Sequence, residues 1–376
     1  MPTATAMLPD PRPYFADITD PRRNNRNKLH SLNDILMIVL CATLSGITDW
    51  VGMEIFAQEK EDWLRQFLEL ENGIPSHDTL SDVFCRIDNK AFSSVFIDWA
   101  RQAVPSLAEE HVAVDGKSVR GSREAGQSTV HMLSAFAAKA RMVLGQQAVS
   151  EKSNEITAIP DLLALLDLNG AVVSLDAMGC QKGIAACIVE KGADYVLALK
   201  DNQPTLAEDV SLWLDTEYAA KRLVVHETLD KGHGRIEERR YVLSDAIDWL
   251  SQKPEWAGLQ SVGMVESVRC IGEETSIDRR YYLCSFNDLQ KFAAVVRNHW
   301  SIENQQHWVL DVQFSEDSNR SRKDHSAKNL ATVRHMALNI IRHNESYSKR
   351  SIRQRLRTAA LNDDYRLMLI MGGQKM

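Results

Sequence analysis

Apolar residues between positions 31 and 104 recur at intervals of three and four, a period that predicts amphipathic helices. Ser31 is placed to cap the first helix, because its hydroxyl can accept a hydrogen bond from an amide of the first turn. Pro75–Ser76 marks a second helix start. The apolar stripe of the first helix consists of Ile35, Ile38, Val39 and Ala42. The pattern predicts a helical N-terminal domain, and it fits equally well a helix that enters a DNA groove and a helical packing or dimerisation module.

The pattern changes after Glu110, where short apolar runs appear that are typical of strands buried on both faces. These runs cover residues 111–115, 171–176 and 195–199, with hairpin-like segments at 130–137 and 142–149 and helical segments near 158–168 and 180–191. The resulting order is three strands, a helix, a strand, a helix and a strand. This order predicts an α/β fold with an RNase H-like mixed sheet flanked by helices.

Residues 201–286 have a more β-like pattern, which predicts a β-rich insertion into this core. Its candidate strands are separated by turns that contain Gly and Asp, and they span residues 223–228, 235–243, 261–270 and 277–285. A long helix is predicted from Leu289 to Val309, and a basic tail with further helices follows it.

Two aspartates end predicted buried strands, and small residues follow each of them. Asp115 precedes Gly116, and Asp176 precedes Ala177. Carboxylates at the carboxyl ends of strands in open α/β sheets often face a site, although a single aspartate at such a place is also a common turn former or helix cap. Because a buried unpaired carboxylate is costly, both acids are expected to need a cation or strong hydrogen bonds.

A third acid, Glu303, lies in the predicted long helix. His299, Glu303, His307 and Asp311 follow one another at intervals of four, so a helix would place neighbouring members on one polar face. A solvated face or a ladder of ion pairs would have the same spacing. Glu303 and the two strand-end aspartates would supply three oxygen ligands of the kind that Mg²⁺ or Mn²⁺ prefers. Two such ions support phosphoryl transfer to water or to a DNA 3′-hydroxyl.

The composition of the chain limits the classes of partner that it can bind. The 376 residues carry a net charge of −7, which argues mildly against a nucleic-acid partner. The cations are nevertheless clustered, and local patches on an acidic body can bind DNA. No apolar run approaches the roughly 18 residues needed to span a bilayer, and no secretion signal is evident, so a cytoplasmic protein without a membrane partner is expected. The basic clusters lie at residues 22–28, 117–123, 235–240, 320–323 and 349–357.

Four segments closely resemble the H-repeat-associated transposases that accompany bacterial Rhs elements, a branch of the insertion-sequence DDE transposases. These segments are Val112–Gly121, Ser174–Gln181, Leu199–Gln203 and Trp300–Glu303. The resemblance implies a DNA transposase, a polynucleotidyl transferase that cleaves and joins phosphodiester bonds at insertion-sequence ends by two-metal chemistry. By motif position, Asp115, Asp176 and Glu303 would be its catalytic and metal-binding residues, with Mg²⁺ or Mn²⁺ as the cofactor.

The same resemblance implies a division of the chain. A helical transposase-associated N-terminal domain would span residues 12–105, and an RNase H-like catalytic domain would span 108–343, with the insertion at about 201–286 before the catalytic Glu. A basic helical tail would cover 344–376. Gly232–Glu237 also resembles a family element within the insertion. The expected partner is double-stranded DNA with terminal inverted repeats, and a homodimer in the DNA complex is compatible with the resemblance.

Basic residues are the predicted DNA contacts, because phosphate binding relies on Lys and Arg. The wider group often has Tyr, Arg and Lys around the catalytic Glu, at places where this chain has Val296, His299 and Leu310. Protonated His299, Arg297 or the 320–323 cluster is expected to replace the phosphate-gripping Arg. The full set of predicted DNA-binding residues is Lys117, Arg120, Arg235, His299, Arg320, Arg322 and Lys323.

Two other classes of protein fit parts of the sequence. A zinc or iron hydrolase could use the series from His299 to Asp311, since imidazoles four residues apart suit such ions, but it would leave the strand-end aspartates without a role. A catalytically silent DNA-binding relic of a transposase would keep the same fold. The three intact acids favour an active enzyme, while the DNA sequence that it recognises and its oligomeric state stay open.

Overall fold

In the computed structural model, helices occupy the N-terminal part of the chain, as predicted. Ser31 caps α2 by accepting a hydrogen bond from the Asp34 amide, and Ser76 caps α5 through the Thr79 amide. The bounds are α1 Arg12–Phe15, α2 Leu32–Leu44, α3 Trp50–Glu59, α4 Glu61–Leu64, α5 His77–Arg86 and α6 Asn89–Arg101.

The structure describes residues 8–24, 28–123, 129–149, 155–232, 235–272 and 274–371. Parts of three predicted segments lie outside the described residues. They are residues 25–27 of the 22–28 cluster, residues 233–234 of the family element in the insertion, and residues 372–376 of the tail.

Helix α2 is the centre of the helical part. Every residue of α2 except Asn33 is buried, so α2 has no free face that could enter a DNA groove. Its apolar side chains share one core with helices from the other end of the chain, including Leu338, Tyr365 and Ile370. The helical part is therefore packed against the rest of the molecule.

The strands in the described part of the chain form one sheet of nine, in the order β3-β2-β1-β4-β5-β9-β8-β7-β6. Strand β2 is antiparallel to β1, whereas β1, β4 and β5 are mutually parallel, so the core is the mixed RNase H-like sheet that the sequence predicts. The bounds are β1 His111–Ser118, β2 His131–Ala137, β3 Met142–Val149, β4 Val172–Leu175, β5 Asp194–Leu199, β6 Val225–Gly232, β7 Arg235–Ser244, β8 Ser261–Ile271 and β9 Glu274–Cys284.

The remaining helices pack on the two faces of this sheet and against the N-terminal helices. Helices α7 Glu155–Ala164, α8 Lys182–Glu190 and α9 Pro204–Ala219 pack on one face. Helices α10 Leu289–His299, α11 Trp308–Gln313 and α12 Ser326–His343 pack on the other. The tail forms α13 Ile352–Leu361 and α14 Asp363–Ile370, which contact α2. No helix in the described ranges has both the length and the apolar character needed to cross a membrane.

Two predicted elements differ from the structure. The insertion was predicted to be β-rich from residue 201, but its first part is the helix α9, in which Leu206, Val210 and Leu214 are buried at a spacing of four. The predicted continuous helix from 289 to 309 is interrupted: α10 ends at His299, and Ile302–His307 form a π-helical turn before α11. A π-helical turn widens the helix by one residue, often at a functional site.

The insertion strands extend the core sheet beyond the carboxyl ends of its parallel strands. Strand β9 is antiparallel to β5 and pairs with it from Val196↔Cys284 to Leu199↔Tyr281. Because β5 ends at Leu199, residues 274–280 of β9 extend past the end of β5. Strands β6, β7 and β8 run beside this overhang. We call β6–β9 the arm. It projects past the same edge of the sheet from which Asp115 and Asp176 emerge.

Candidate active site

Asp115 and Asp176 lie side by side at the carboxyl edge of the parallel strands. Strand β1 pairs in parallel with β4 up to Val114↔Leu175. Asp115 and Asp176 are therefore the next pair of residues in this register. Asp115 is inside β1, because that strand continues to Ser118, and not at a strand end as predicted. It reaches the edge because β4 ends at Leu175.

The loop after Asp176 is held in place by hydrogen bonds. The Asp176 carboxylate accepts hydrogen bonds from the Met178 and Gly179 amides, at 3.0 and 3.2 Å, and so caps a 3₁₀ turn. Asn202 donates to the Ala177 carbonyl, and Gln203 donates to the Cys180 carbonyl. The Leu199–Gln203 motif therefore fastens the Asp176 loop from the end of β5. Desolvation raises the pKa of Asp176, although these amides oppose the rise.

Glu303 lies in the π-helical turn and faces Asp115 together with His307. The Nδ1 atom of His307 is 3.6 Å from Oδ2 of Asp115 and 3.5 Å from Oε2 of Glu303. One ligand atom from each of these three residues lies within 4.8 Å of the other two. Asp115 and His307 are largely buried, whereas Glu303 is about half exposed. This is a compact set of two oxygen donors and one nitrogen donor.

The electrostatics of this set favour a bound cation. Burial raises the pKa of Asp115 to about 7, a rise that Glu303 increases and His307 opposes. The hydrogen bond from His307 lowers the pKa of Glu303. Because an ionised carboxylate is costly to bury without a partner, a divalent ion between these acids would relieve that cost. The residues present therefore fit a divalent metal.

A cleft of about 260 Å³ opens beside the acids. Its wall includes Asp115, Asp176 and Glu303, and also two cations, Lys200 and Arg280. The Arg280 guanidinium lies 4.9 Å from the centre of the Trp300 ring, which also lines the cleft. The Trp300 side chain is 45% exposed. The cleft thus combines carboxylates, cations and an accessible aromatic face.

His299 lies in the same cleft as a neutral group. Its Nδ1 is 2.7 Å from the Ser174 hydroxyl, which in turn lies 2.7 Å from Nε2 of His111. Desolvation lowers the pKa of His299 to about 4, even though Glu303 opposes this. The sequence predicts a protonated phosphate clamp at His299, whereas the structure has an uncharged hydrogen-bonding imidazole there. Burial against β4 is the physical reason for the difference.

The series His299, Glu303, His307 and Asp311 does not converge on one metal site. Asp311 instead forms an ion pair with Lys117, which also bonds to Glu316 at 2.5 Å. The Lys117 side chain is only 11% exposed. Of the four residues of the zinc or iron alternative, the structure thus brings together only Glu303 and His307. It places Lys117, a predicted DNA contact, in a buried ion-pair network.

The other predicted DNA-binding residues are at the surface. Arg120 is 83% exposed and lies 3.7 Å from Asp317. Arg320, Arg322 and Lys323 are exposed nearby, since Arg322 donates to the Gly121 carbonyl and Gly121 packs against Asn319. Arg235 is at the start of β7 on the arm, 3.9 Å from Glu237. The structure thus brings Arg120 together with the 320–323 cluster and leaves Arg235 apart from them.

Sequence reasoning did not assign four residues of the site: His307 as part of the acid cluster, and Lys200, Arg280 and Trp300 as cleft residues. A usable signal existed for Lys200, because it directly follows the strand 195–199 at the same edge as the aspartates. For His307 the signal was its position one helical turn after Glu303, in the series from His299 to Asp311 that suggested a zinc or iron site. Nothing local marks Arg280, since its place depends on how β9 pairs with β5.

Comparison with known proteins places the chain in a family. The family model described as "Transposase DDE domain" matches residues 106–340, and one described as "DDE_Tnp_1-associated" matches residues 12–100. An uncharacterized protein from the dhlA 3′ region of Xanthobacter autotrophicus is 50% identical over 284 residues, which cover 75% of this chain and 96% of that protein.

Two relatives from Escherichia coli carry transposase names, both provisional. YhhI of strain K12, named as H repeat-associated, is 37% identical over 91% of this chain and 93% of its own length. YncI of O157:H7 is 38% identical over 94% of this chain and 92% of its own. A cryo-EM structure of the piggyBac transposase synaptic complex with hairpin DNA aligns with 94% of this chain and 77% of that one, with 10% identity and a TM-score of 0.45.

Proposed function

Because the chain belongs to the DDE transposase family, we propose that it cleaves DNA at the ends of an insertion sequence and joins them to target DNA. Asp115, Asp176 and Glu303 would be the catalytic carboxylates. The observation that carries this proposal is the parallel register of β1 and β4, which sets the two aspartates side by side at the edge that Glu303 faces. The catalytic unit would span residues 108–343.

Divalent metal, in the form of Mg²⁺ or Mn²⁺, would supply Lewis-acid activation of the attacking oxygen and stabilisation of the leaving oxygen. Asp115 has the central position, with Asp176 beside it in register and Glu303 facing it from the π-helical turn. The amides of Met178 and Gly179 fix one oxygen of Asp176, so its carboxylate is already oriented. The chain would therefore contribute mainly geometry and negative charge.

DNA would approach the carboxylates through cations on both sides of the cleft. Lys200 and Arg280 line the cleft itself. Arg120 follows the end of β1, and the 320–323 cluster lies near it. The Arg120 side chain is 3.7 Å from Asp317. Cations of this kind can contact phosphates and displace counterions. We propose double-stranded terminal inverted repeats as the substrate, bound by a homodimer.

The test compares Asp115→Asn, Asp176→Asn and Glu303→Gln with the wild type in Mg²⁺-dependent cleavage and strand transfer. Each variant is expected to lose the reaction while keeping its fold and most of its DNA affinity. Glu255→Gln is a matched control, because Glu255 is half exposed and pairs with Lys182 at the surface. Full activity in any of the three variants would remove that residue from the site.

The same experiment separates the catalytically silent relic. A relic would bind inverted-repeat DNA, yet the wild type would show no cleavage with either Mg²⁺ or Mn²⁺. The intact carboxylate set and its fit to a divalent ion favour the active enzyme.

A further inference from the structure

His307 lies in one group with Asp115 and Glu303, but it has no role in a metal site made of three carboxylates alone. We propose that His307 is a metal ligand through Nδ1, so that the ion between Asp115 and Glu303 has a nitrogen donor. This position would therefore select Mn²⁺ or Co²⁺ over Mg²⁺. The inference rests on the proposed function, because it concerns the metal that this function requires.

The position of the imidazole supports the assignment. Nδ1 lies 3.6 Å from an Asp115 oxygen and 3.5 Å from a Glu303 oxygen. Adjacent ligands around an ion with bonds of about 2.1 Å are about 3 Å apart in an octahedron. Bringing Nδ1 to that separation from the two oxygens shortens each distance by about half an ångström. Glu303, which is about half exposed, is free to make such a movement.

The burial of the ring supports it as well. The His307 side chain is only 6% exposed, so Nδ1 meets the acids and little solvent. Its Nε2 is buried and has no hydrogen-bond partner among the described residues. The two carboxylates are therefore the polar groups that orient Nδ1, and a bound ion would replace the proton that Nδ1 shares with them.

The chemistry of the donor gives the selectivity. Mg²⁺ keeps oxygen ligands and water almost exclusively, whereas first-row transition ions accept imidazole nitrogen and bind it more strongly from Mn²⁺ to Co²⁺. A third carboxylate at the position of His307 would favour Mg²⁺. An imidazole in place of a carboxylate also leaves the site with one negative charge fewer, which weakens a purely electrostatic hold on Mg²⁺.

The other histidine of the cleft provides a control. His299 is fixed to the Ser174 hydroxyl at 2.7 Å and belongs to no metal-binding group among the described residues. It lies at the end of α10, eight residues before His307. A His299→Gln variant therefore changes an imidazole of the cleft without changing the proposed donor set.

The experiment is pulsed EPR on the full-length protein with one equivalent of Mn²⁺, which detects a nitrogen bound directly to the ion. Wild type and His299→Gln are expected to show ¹⁴N coupling, and His307→Gln is expected to lose it. Calorimetric titration should show His307→Gln weakening Mn²⁺ binding by about tenfold or more, with Mg²⁺ affected much less. Labelling all histidines with ¹⁵N in the His299→Gln background should change the coupling without altering His307.

Bound Mn²⁺ without nitrogen coupling, together with an unchanged affinity of His307→Gln, would overturn the ligand role and leave His307 as a hydrogen-bond donor to the acids. The proposed function would survive that result if Asp115→Asn still abolished Mn²⁺ binding. Failure of the wild type to bind either ion would instead remove both. If His307→Gln did not fold, the labelled His299→Gln protein alone would decide.

Discussion

Lys117 should stabilise the fold and not bind DNA, and replacing it by Met tests this. The side chain lies on β1 two residues after Asp115, and its ammonium pairs with Asp311 and Glu316. Glu316 is 2% exposed and has a second partner, Arg334, at 3.6 Å. Lys117 thus ties β1 to the helix that follows Glu303. Methionine keeps much of the side-chain volume and removes the charge.

The expected cost follows from what is left behind. Removing one partner of a buried pair typically costs about 3 to 5 kcal/mol, because a buried charge stays uncompensated. Here Glu316 would still have Arg334, and Asp311, at 31% exposure, would regain solvent. We therefore expect the low end, about 3 kcal/mol in the free energy of unfolding.

Chemical denaturation of wild type, Lys117→Met and Lys117→Met/Asp311→Asn measures this cost. The second substitution removes the carboxylate that has lost its partner and leaves the Glu316–Arg334 pair intact, so it should recover at least about 1 kcal/mol as a coupling energy. Lys182→Met is the matched control: its pair with Glu255 is about half exposed, and such surface pairs contribute less than about 1 kcal/mol. Equal losses for Lys117→Met and Lys182→Met would refute the reasoning.

The pH dependence of that loss has a defined sign. The pKa of Glu316 is lowered overall, because Lys117 and Arg334 outweigh its burial. Its contribution is therefore present above the unfolded pKa, near 4.5, and is lost as the pH falls through the lower folded value. The acids around Lys117 raise its pKa above 10.5 against burial, so its contribution is lost only in strong alkali. The difference between wild type and Lys117→Met should be flat from about pH 5 to 10 and shrink in acid.

Two further predictions concern DNA. Replacing Arg320, Arg322 and Lys323 together by Gln should weaken binding to all sequences and reduce the salt slope by about 2 to 3, since each phosphate contact contributes about 0.9; an unchanged slope in a salt titration would place the cluster away from DNA. His299→Gln should leave DNA affinity at pH 7 unchanged, because the pKa of His299 is lowered to about 4 and the ring is already neutral; a large loss, measured by fluorescence anisotropy, would show that His299 becomes charged on DNA.

Much of the core could be predicted because its signals are local. Buried strands such as 195–199 are short apolar runs, and helix caps such as Ser31 and Ser76 act on their own first turn. The order of these elements was sufficient for the RNase H-like sheet. Helix α9 also had a local signal, because apolar residues recur every four positions after Pro204. The β-like pattern further along the insertion nevertheless led to the prediction of strands.

The parts that escaped prediction depend on distant pairing. Lys117 and Asp311 are far apart in sequence, and only the packing of α11 against β1 reveals that they neutralise each other. Clustering of cations along the sequence suggested a DNA contact for Lys117 for the same reason that it did for Arg120. Arg280 reaches the cleft because β9 pairs with β5 and continues past it. The π-helical turn likewise has no clear sequence pattern.

Two acidic clusters lie beside β1, and the fold neutralises them in different ways. At Lys117 the chain supplies its own permanent cations, Lys117 and Arg334, to neutralise Asp311 and Glu316. At Asp115, on the same face of the strand, the described group that opposes the rise in pKa most is the His307 imidazole, and burial still raises the pKa of the carboxyl to about 7. Because Asp311 and Glu316 have permanent cations beside them and Asp115 does not, the Asp115 cluster is the one suited to an exchangeable cation. In the proposed function, the Lys117 network would anchor the helix after Glu303 to β1 beside the carboxylates that hold the metal.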